Sequence, residues 1–312
     1  MRQGKATARH KNVTFRNQVW HVSTRANLLF SPAVCRPSLQ ILLLTFGLLA
    51  ATGQGLLGAR LIIKGSDTLG AKLVPQLAEV FDRVWPEGSD LVIEIAAEGS
   101  ATGIASVLDG TADIGMLSRP LRPDELAAAK ARGLDLALVE VARDALVVII
   151  HQDNPLREIS LQELAAIYTG DVINWAALSD LPEPISAYSR NSSSGSYVAF
   201  QQLALNSRDY SNQIQKMASN EQIAHEVSGN RGGIGYVALA YAQNPRLRAL
   251  PVEGLAPASA DYPLARPLYF LVNRGAPPSA LRDRFIEFTL SEAGQSLATR
   301  LDFLPAQRFR QP

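Results

Sequence analysis

From Leu61 to the C-terminus, short apolar runs alternate with longer amphipathic ones. "LIIKG" (Leu61–Gly65), "LVIEIAAEG" (Leu91–Gly99), "ADIGML" (Ala112–Leu117), "PISAYSR" (Pro184–Arg190) and "PLYFLVN" (Pro267–Asn273) have the length and β-branched content of strands. "ALVVII" (Ala145–Ile150) is a continuous apolar strand of the kind buried in a parallel or mixed sheet. Helical spacing falls on Ala71–Trp85, Thr102–Gly110, Pro123–Gly133, Ser160–Gly170 and a terminal helix pair over 279–300. Local chemistry supports these ends. Pro75 lies in first turns, where proline is tolerated, Gly133 stands at a C-cap, and Ser160 with Glu163 forms a capping-box pattern. "GGIGYVALAYA" (Gly232–Ala242) mixes the two periods. The rhythm restarts after "HQDNP" (151–155), so the pattern predicts an α/β fold in two lobes.

Charge separates off the first sixty residues. They hold eight basic side chains and no acidic one, leaving 22 basic and all 29 acidic residues in 61–312, a net of −7. "ILLLTFGLLAA" (Ile41–Ala51), preceded by positive charge and followed by small residues, matches a secretory signal. It is short for a membrane span, although extension to Ala59 leaves an uncleaved anchor open. Residues 1–59 are therefore read as an N-terminal extension and signal peptide, with 1–34 outside the fold. The expected location is periplasmic or secreted. Cys35, the only cysteine, precedes the apolar run, so the mature chain has neither disulfide nor thiolate site. The net of −7, with no basic stripe, argues against nucleic acid as a partner.

Three strand patterns end in Gly/Ser/Thr loops that open helices: "KGSDTLG" (64–70), "AEGSATGI" (97–104) and "SRNSSSGSYV" (189–198). A helix start offers unpaired N–H groups and a positive dipole end, and hydroxyls add donors. Arg190 leads the third loop and Arg119 follows the "ADIG" strand, where an α/β sheet binds ligands. Guanidinium matches an edge of phosphate with two parallel bonds. Asp67 either caps its own helix or accepts the proton that phosphate carries and sulfate lacks. Each loop, taken alone, is also a plain N-cap.

Together, "GSDTLGAKLVPQLAEVF", "EGSATGIASVLDGTADIGMLSRPL", "DALVVIIHQDNP", "LQELAAIYTGDVINWAAL", "SRNSSSGSYVAF", "GGIGYVALAYA" and "FIEFTLSEAGQ" make the chain resemble the phosphate-binding proteins of ABC uptake systems, within the type 2 periplasmic binding-protein-like superfamily. The resemblance implies a two-lobed fold, each lobe a mixed sheet flanked by helices, joined by hinge strands near 145–150 and 267–273. Lobe 1 is expected over 60–146 with 268–312, and lobe 2 over 147–267. The family's ligand positions fall on Ser66, Asp67, Thr68 and Leu69, on Ser100, and on Arg190 with Ser194, Gly195 and Ser196. Ser118 stands where well-studied members carry a proton-accepting aspartate, and Arg119 follows it. Asp67 or Glu98 could substitute for that aspartate.

The expected function is capture of inorganic phosphate between the lobes for an ABC permease, by a monomer without cofactor, metal or catalysis. Alternatives are another oxyanion, a phosphate sensor or adhesion module, or a phosphate-ester hydrolase. For the last, Ser194 would need His151 or His225 as its base. "SSSGS" is not a G-x-S-x-G elbow and neither histidine sits in a motif.

Overall fold

The computed structural model describes Val19–His21, residues 59–85 and residues 91–306. The apolar run Ile41–Ala51 lies outside the described residues. Among the described residues, no helix is long and apolar enough to cross a membrane.

The first lobe is built on β2 (Ala59–Gly65), which runs parallel to β3 (Leu91–Ala97) on one side and to β4 (Ile114–Leu117) on the other. A short strand β1 (Val19–His21) closes the outer edge of β3, antiparallel. Three residues of the segment read as lying outside the fold thus belong to the sheet. β2 and β3 alternate buried and half-buried positions, so one face of each packs on the core. Helix α1 (Val74–Val84) turns Val74, Leu77, Ala78 and Phe81 inward, the i, i+3, i+4, i+7 stripe of an amphipathic helix. Phe81 meets Phe285 of α7 (Ala280–Thr289) edge-on, with ring centroids 5.3 Å apart.

β5 (Leu136–His151) is the spine of the molecule. Its first ten residues, Leu136–Ala145, pair antiparallel with β10 (Ala265–Asn273), which also borders β4. From Leu146 to Ile150 the same strand pairs with β8 (Gly233–Ala238) in the second lobe, and β9 (Leu247–Leu250) lies on its other side. β8 then runs parallel to β6 (Ser186–Arg190), and β6 to β7 (Gln215–Met217). Leu146 through Ile150 are fully buried, each apolar side chain contributing about 1.5–3 kcal/mol. The chain crosses between sheet halves at 145/146 and again where residue 264 leads into β10. β10 itself lies wholly against first-lobe strands, so the second crossing precedes the strand expected to form it.

The remaining helices are α2 (Ser100–Leu108), α3 (Pro123–Ala131), α4 (Leu161–Thr169), α5 (Gly195–Ala204), α6 (Asn220–Ser228) and α8 (Glu292–Arg300). The Ser160–Glu163 capping box forms as the sequence predicts, and Gly133 and Gly170 take the left-handed conformation after their helices. The mixed period of "GGIGYVALAYA" resolves into β8 followed by a 3₁₀ turn, Leu239–Tyr241. β5 lies buried in a mixed sheet, as expected. All of its partners are antiparallel, and it is buried because β8, β9 and β10 border it and helices cover it.

Candidate functional site

The three hydroxyl-rich loops lie at the C-terminal ends of parallel strands. The first follows β2, the second follows β3, and the third follows β6. Ser118 and Arg119 follow β4. Strand C-termini facing helix N-termini are where open α/β sheets place ligands, because carbonyl-free amide ends converge there. Here two such edges, one from each lobe, face each other.

The first loop enters its helix at Asp67, and residues Leu69–Leu73 form a π-helical turn before α1. Such wide turns recur at functional sites because they displace backbone groups from the regular ladder. Ser66, Asp67 and Thr68 are all at most 5% exposed. Ser66 Oγ is hydrogen-bonded to Ser118 Oγ, and Ser100 Oγ accepts the Ser118 N–H at 3.0 Å. Gly99 brings Ser100 in at φ +151°, and its own Cα faces Ser193 O so closely that a Cβ would stand 2.7 Å from it. From the second lobe, the Ser194 side chain caps α5 by accepting the Ser196 N–H at 3.1 Å. Gly195 packs against Ser100 and Ser118, where a Cβ would meet Ser100 Cβ at 3.0 Å and Ser118 Cβ at 3.1 Å.

Contacts across the cleft tie the two edges together. Arg190 Nη1 donates to Asp67 Oδ2 at 3.0 Å, and the Asn220 N–H and Nδ2 reach the same oxygen at 3.0 and 2.7 Å. Thr68 Oγ1 stands 3.4 Å from Ser196 Oγ, and the Ala101 N–H donates to Ser193 O at 3.0 Å. Lys72 donates to Ala240 O and lies 4.2 Å from the Tyr241 ring centre. Burial lowers the Lys72 pKa, opposed by Glu221 and Asp302.

Hydrogen-bond direction defines what this cluster can hold. Ser100 and Ser194 oxygens each accept a fixed N–H, and Thr68 Oγ1 accepts from Arg266 Nη2 at 3.3 Å, a group that can only donate. Their hydroxyl protons are thereby left to donate elsewhere. The guanidinium Nε of Arg190, itself 1% exposed, is buried without a protein partner, as is that of Arg266. The site is a nest of donors with one carboxylate, Asp67, whose three recorded donors all meet Oδ2. A small oxyanion, rich in acceptors, fits that donor set.

The structure draws Ser66, Asp67, Thr68, Ser100, Ser118, Arg190, Ser194, Gly195 and Ser196 into one buried neighbourhood. Leu69 is also there, but its side chain belongs to the hydrophobic core, which leaves only its backbone to the site. Arg119 is a correction. Both Nη atoms turn to Glu125, at 2.8 and 2.6 Å, and Nη1 also reaches Pro120 O at 2.8 Å, so a buried ion pair takes both Nη groups and leaves only Nε without a protein partner. Burial works to raise the Glu125 pKa, but the bonds and charges of Arg119 and Arg122 outweigh it and hold the carboxyl below its ordinary value. Glu98 is exposed, so of the two carboxylates considered as proton acceptors only Asp67 lies inside. Among the described residues, the recorded partner of Ser194 Oγ is Ser196. His151 lies beside Asp153, and His225 lines a separate crevice of about 250 Å³ with Lys72 and Tyr241.

Three residues were missed by the sequence reading. Asp144 and Arg266 face each other across β5 and β10 and are ion-paired at 3.0 Å, both under 4% exposed. Asn220 opens α6, and its Oδ1 accepts the Ala238 N–H at 3.1 Å. A signal was present for the pair: Asp144 and Arg266 each directly flank an apolar run, "ALVVII" and "PLYFLVN", where burial tolerates a charge only when it is matched.

Comparison with known proteins agrees with this architecture. A family model for the PBP superfamily domain matches residues 51–293. The phosphate-binding protein PstS of Pseudomonas aeruginosa is 31% identical over 266 residues, which covers 77% of this chain and 81% of that one. The PstS of Bacillus subtilis is 28% identical over 265 residues, 82% of this chain and 84% of its own. Among solved structures, a Clostridium perfringens phosphate ABC transporter substrate-binding protein with bound phosphate superimposes with a TM-score of 0.73. It shares 29% identity, over 80% of this chain and all of the other. The chain belongs to the PBP superfamily and, within it, to the family of PstS phosphate-binding proteins.

Proposed function

We propose that the protein is a secreted solute-binding protein that captures inorganic phosphate between its lobes and delivers it to an ABC permease. The observation that carries this reading is the donor nest. Thr68, Ser100 and Ser194 hydroxyls, each already accepting a bond, stand with Arg190 in one buried neighbourhood assembled from both lobes. Lobe 1 is formed by β2, β3, β4, β10 and the part of β5 up to Ala145, with the helices packed on them, and lobe 2 comprises 146–264. Closure around the anion gives the permease a form to recognise, since the ligand touches both halves only when they meet. The apolar run Ile41–Ala51 serves as the export signal. The PstS relatives support phosphate as the ligand, and the P. aeruginosa and B. subtilis proteins are named for it.

Asp67 gives the site its selectivity. Monohydrogen phosphate carries one proton that needs an acceptor, and in a nest of donors Oδ1 of Asp67 supplies it. Sulfate meets the same carboxylate with no proton to give, and like charges then repel. In a thermal-shift panel of oxyanions, phosphate should raise the melting temperature of the purified protein more than sulfate at equal concentration. Asp67→Asn should reduce the ratio of phosphate to sulfate affinity at least about tenfold, because the amide can donate to either anion. An unchanged ratio would remove Asp67 from this role.

A further inference from the structure

Arg266 and Asp144 sit where the two lobes join, and neither has a place in the ligand set considered above. Their register partners them directly across β10 and β5, one residue before β5 leaves the first sheet half for the second. Asp144 Oδ2 accepts from Arg266 Nη2 at 3.0 Å, and Oδ1 accepts the Leu239 N–H of the second lobe at 3.1 Å. Arg266 reaches the other way, with Nη1 to Ser118 O at 3.2 Å and Nη2 to Thr68 Oγ1 at 3.3 Å. Burial raises the Asp144 pKa, countered by Arg266, and burial lowers that of Arg266, countered by Asp144.

Such a pair is costly to bury and is rarely a net gain for stability over apolar residues of equal size. Its contacts show what it does. A guanidinium has no acceptor, so the bond to Thr68 must end on the hydroxyl oxygen, and the single Thr68 proton is forced away from Arg266. That proton is left free to donate elsewhere, and Ser196 Oγ of the other lobe stands 3.4 Å away across the cleft. Arg266 also cancels the charge of Asp144, which would otherwise be a buried anion beside an anion site.

We propose that Arg266 is a positioning residue of the anion site: locked by Asp144 at the lobe junction, it orients Thr68 as an obligate donor to the bound oxyanion. This inference rests on the functional reading above. Arg266 acts through Thr68 and not by touching the ligand, so the two residues must be energetically coupled in binding.

The test is a double-mutant cycle on phosphate affinity, measured by calorimetry with Arg266→Lys, Thr68→Val and the double variant. Lysine keeps the charge but cannot hold Asp144, Ser118 O and Thr68 in one planar fork. Arg266→Lys should weaken phosphate binding about tenfold in the native background and less than about twofold in the Thr68→Val background. Additive losses, or an unchanged affinity in Arg266→Lys, would overturn the proposal. If Arg266→Lys does not fold, Asp144→Asn replaces it in the same cycle, with the same expected coupling to Thr68 and the same contrary outcome. A native protein that binds no phosphate would overturn the functional reading itself, whereas native binding with additive losses overturns the role of Arg266 alone.

Discussion

Arg190→Ala is expected to weaken phosphate binding at least about 30-fold while leaving the melting temperature of the anion-free protein within a few degrees of native. Arg190 is 1% exposed and supplies a charge-assisted donor to Asp67 of the other lobe. Truncating one partner of a buried, hydrogen-bonded charge pair costs about 2–5 kcal/mol, which sets the 30-fold floor. Much of that cost is the carboxylate left behind, since Asp67 keeps only Asn220 as a partner and now stands uncompensated beside an incoming anion. The fold should be spared because Asp67 and Arg190 belong to different lobes and meet only across the cleft. Calorimetric titration and thermal melting of the same sample separate the two effects. Equal affinity in the variant would mean that the ligand lies elsewhere.

Gly195→Ala should have a comparable effect for a different reason. Gly195 is the first residue of α5, and a Cβ there would overlap Ser100 Oγ and crowd Ser100 Cβ and Ser118 Cβ at 3.0 and 3.1 Å. Ser100 cannot easily step aside, because its hydroxyl accepts the Ser118 N–H. Overpacking of this kind costs about 1–3 kcal/mol. The overlapping atoms come from the opposite lobe, so the cost falls on the closed form alone. Phosphate affinity should fall about 5- to 150-fold, with anion-free stability unchanged or slightly improved by alanine's better helix propensity. A variant that loses stability and keeps its affinity would show that the contact is not a feature of closure.

Much of the cluster was legible because its physical requirements are local. A hydroxyl or glycine ahead of a helix is written in consecutive residues, and "GSDTLG", "EGSATG" and "SRNSSSGS" could each be read for donors without knowing the fold. Strand ends carry such loops to one face of a sheet by topology, so convergence of Thr68, Ser100 and Ser196 followed from the alternation of strands and helices. Arg119 carries the same local signal as Arg190 but has a local carboxylate within reach. Glu125, six residues on, faces it from the first turn of α3 and forms a bidentate pair.

The lobe junction was harder to read because its logic is non-local. Asp144 and Arg266 are 122 residues apart, and only the antiparallel register of β5 on β10 sets them opposite. The sequence shows only six residues of the spine strand, because "LALVEVARD" lacks a continuous apolar run, yet all sixteen residues of Leu136–His151 form one strand. Its half-buried first part borders solvent and its last part the interior, so one strand carries two patterns. The short strands β7 and β9 have three and four residues, too few for a period to show.

The central claim is that groups from both lobes enclose a single tetrahedral oxyanion, and titration calorimetry of phosphate into the anion-stripped protein tests it most directly. The account predicts one site per chain, micromolar or tighter, with sulfate failing to compete at equal concentration. No heat with phosphate at any concentration up to about 1 mM, where binding would amount to no more than about 4 kcal/mol, would contradict it.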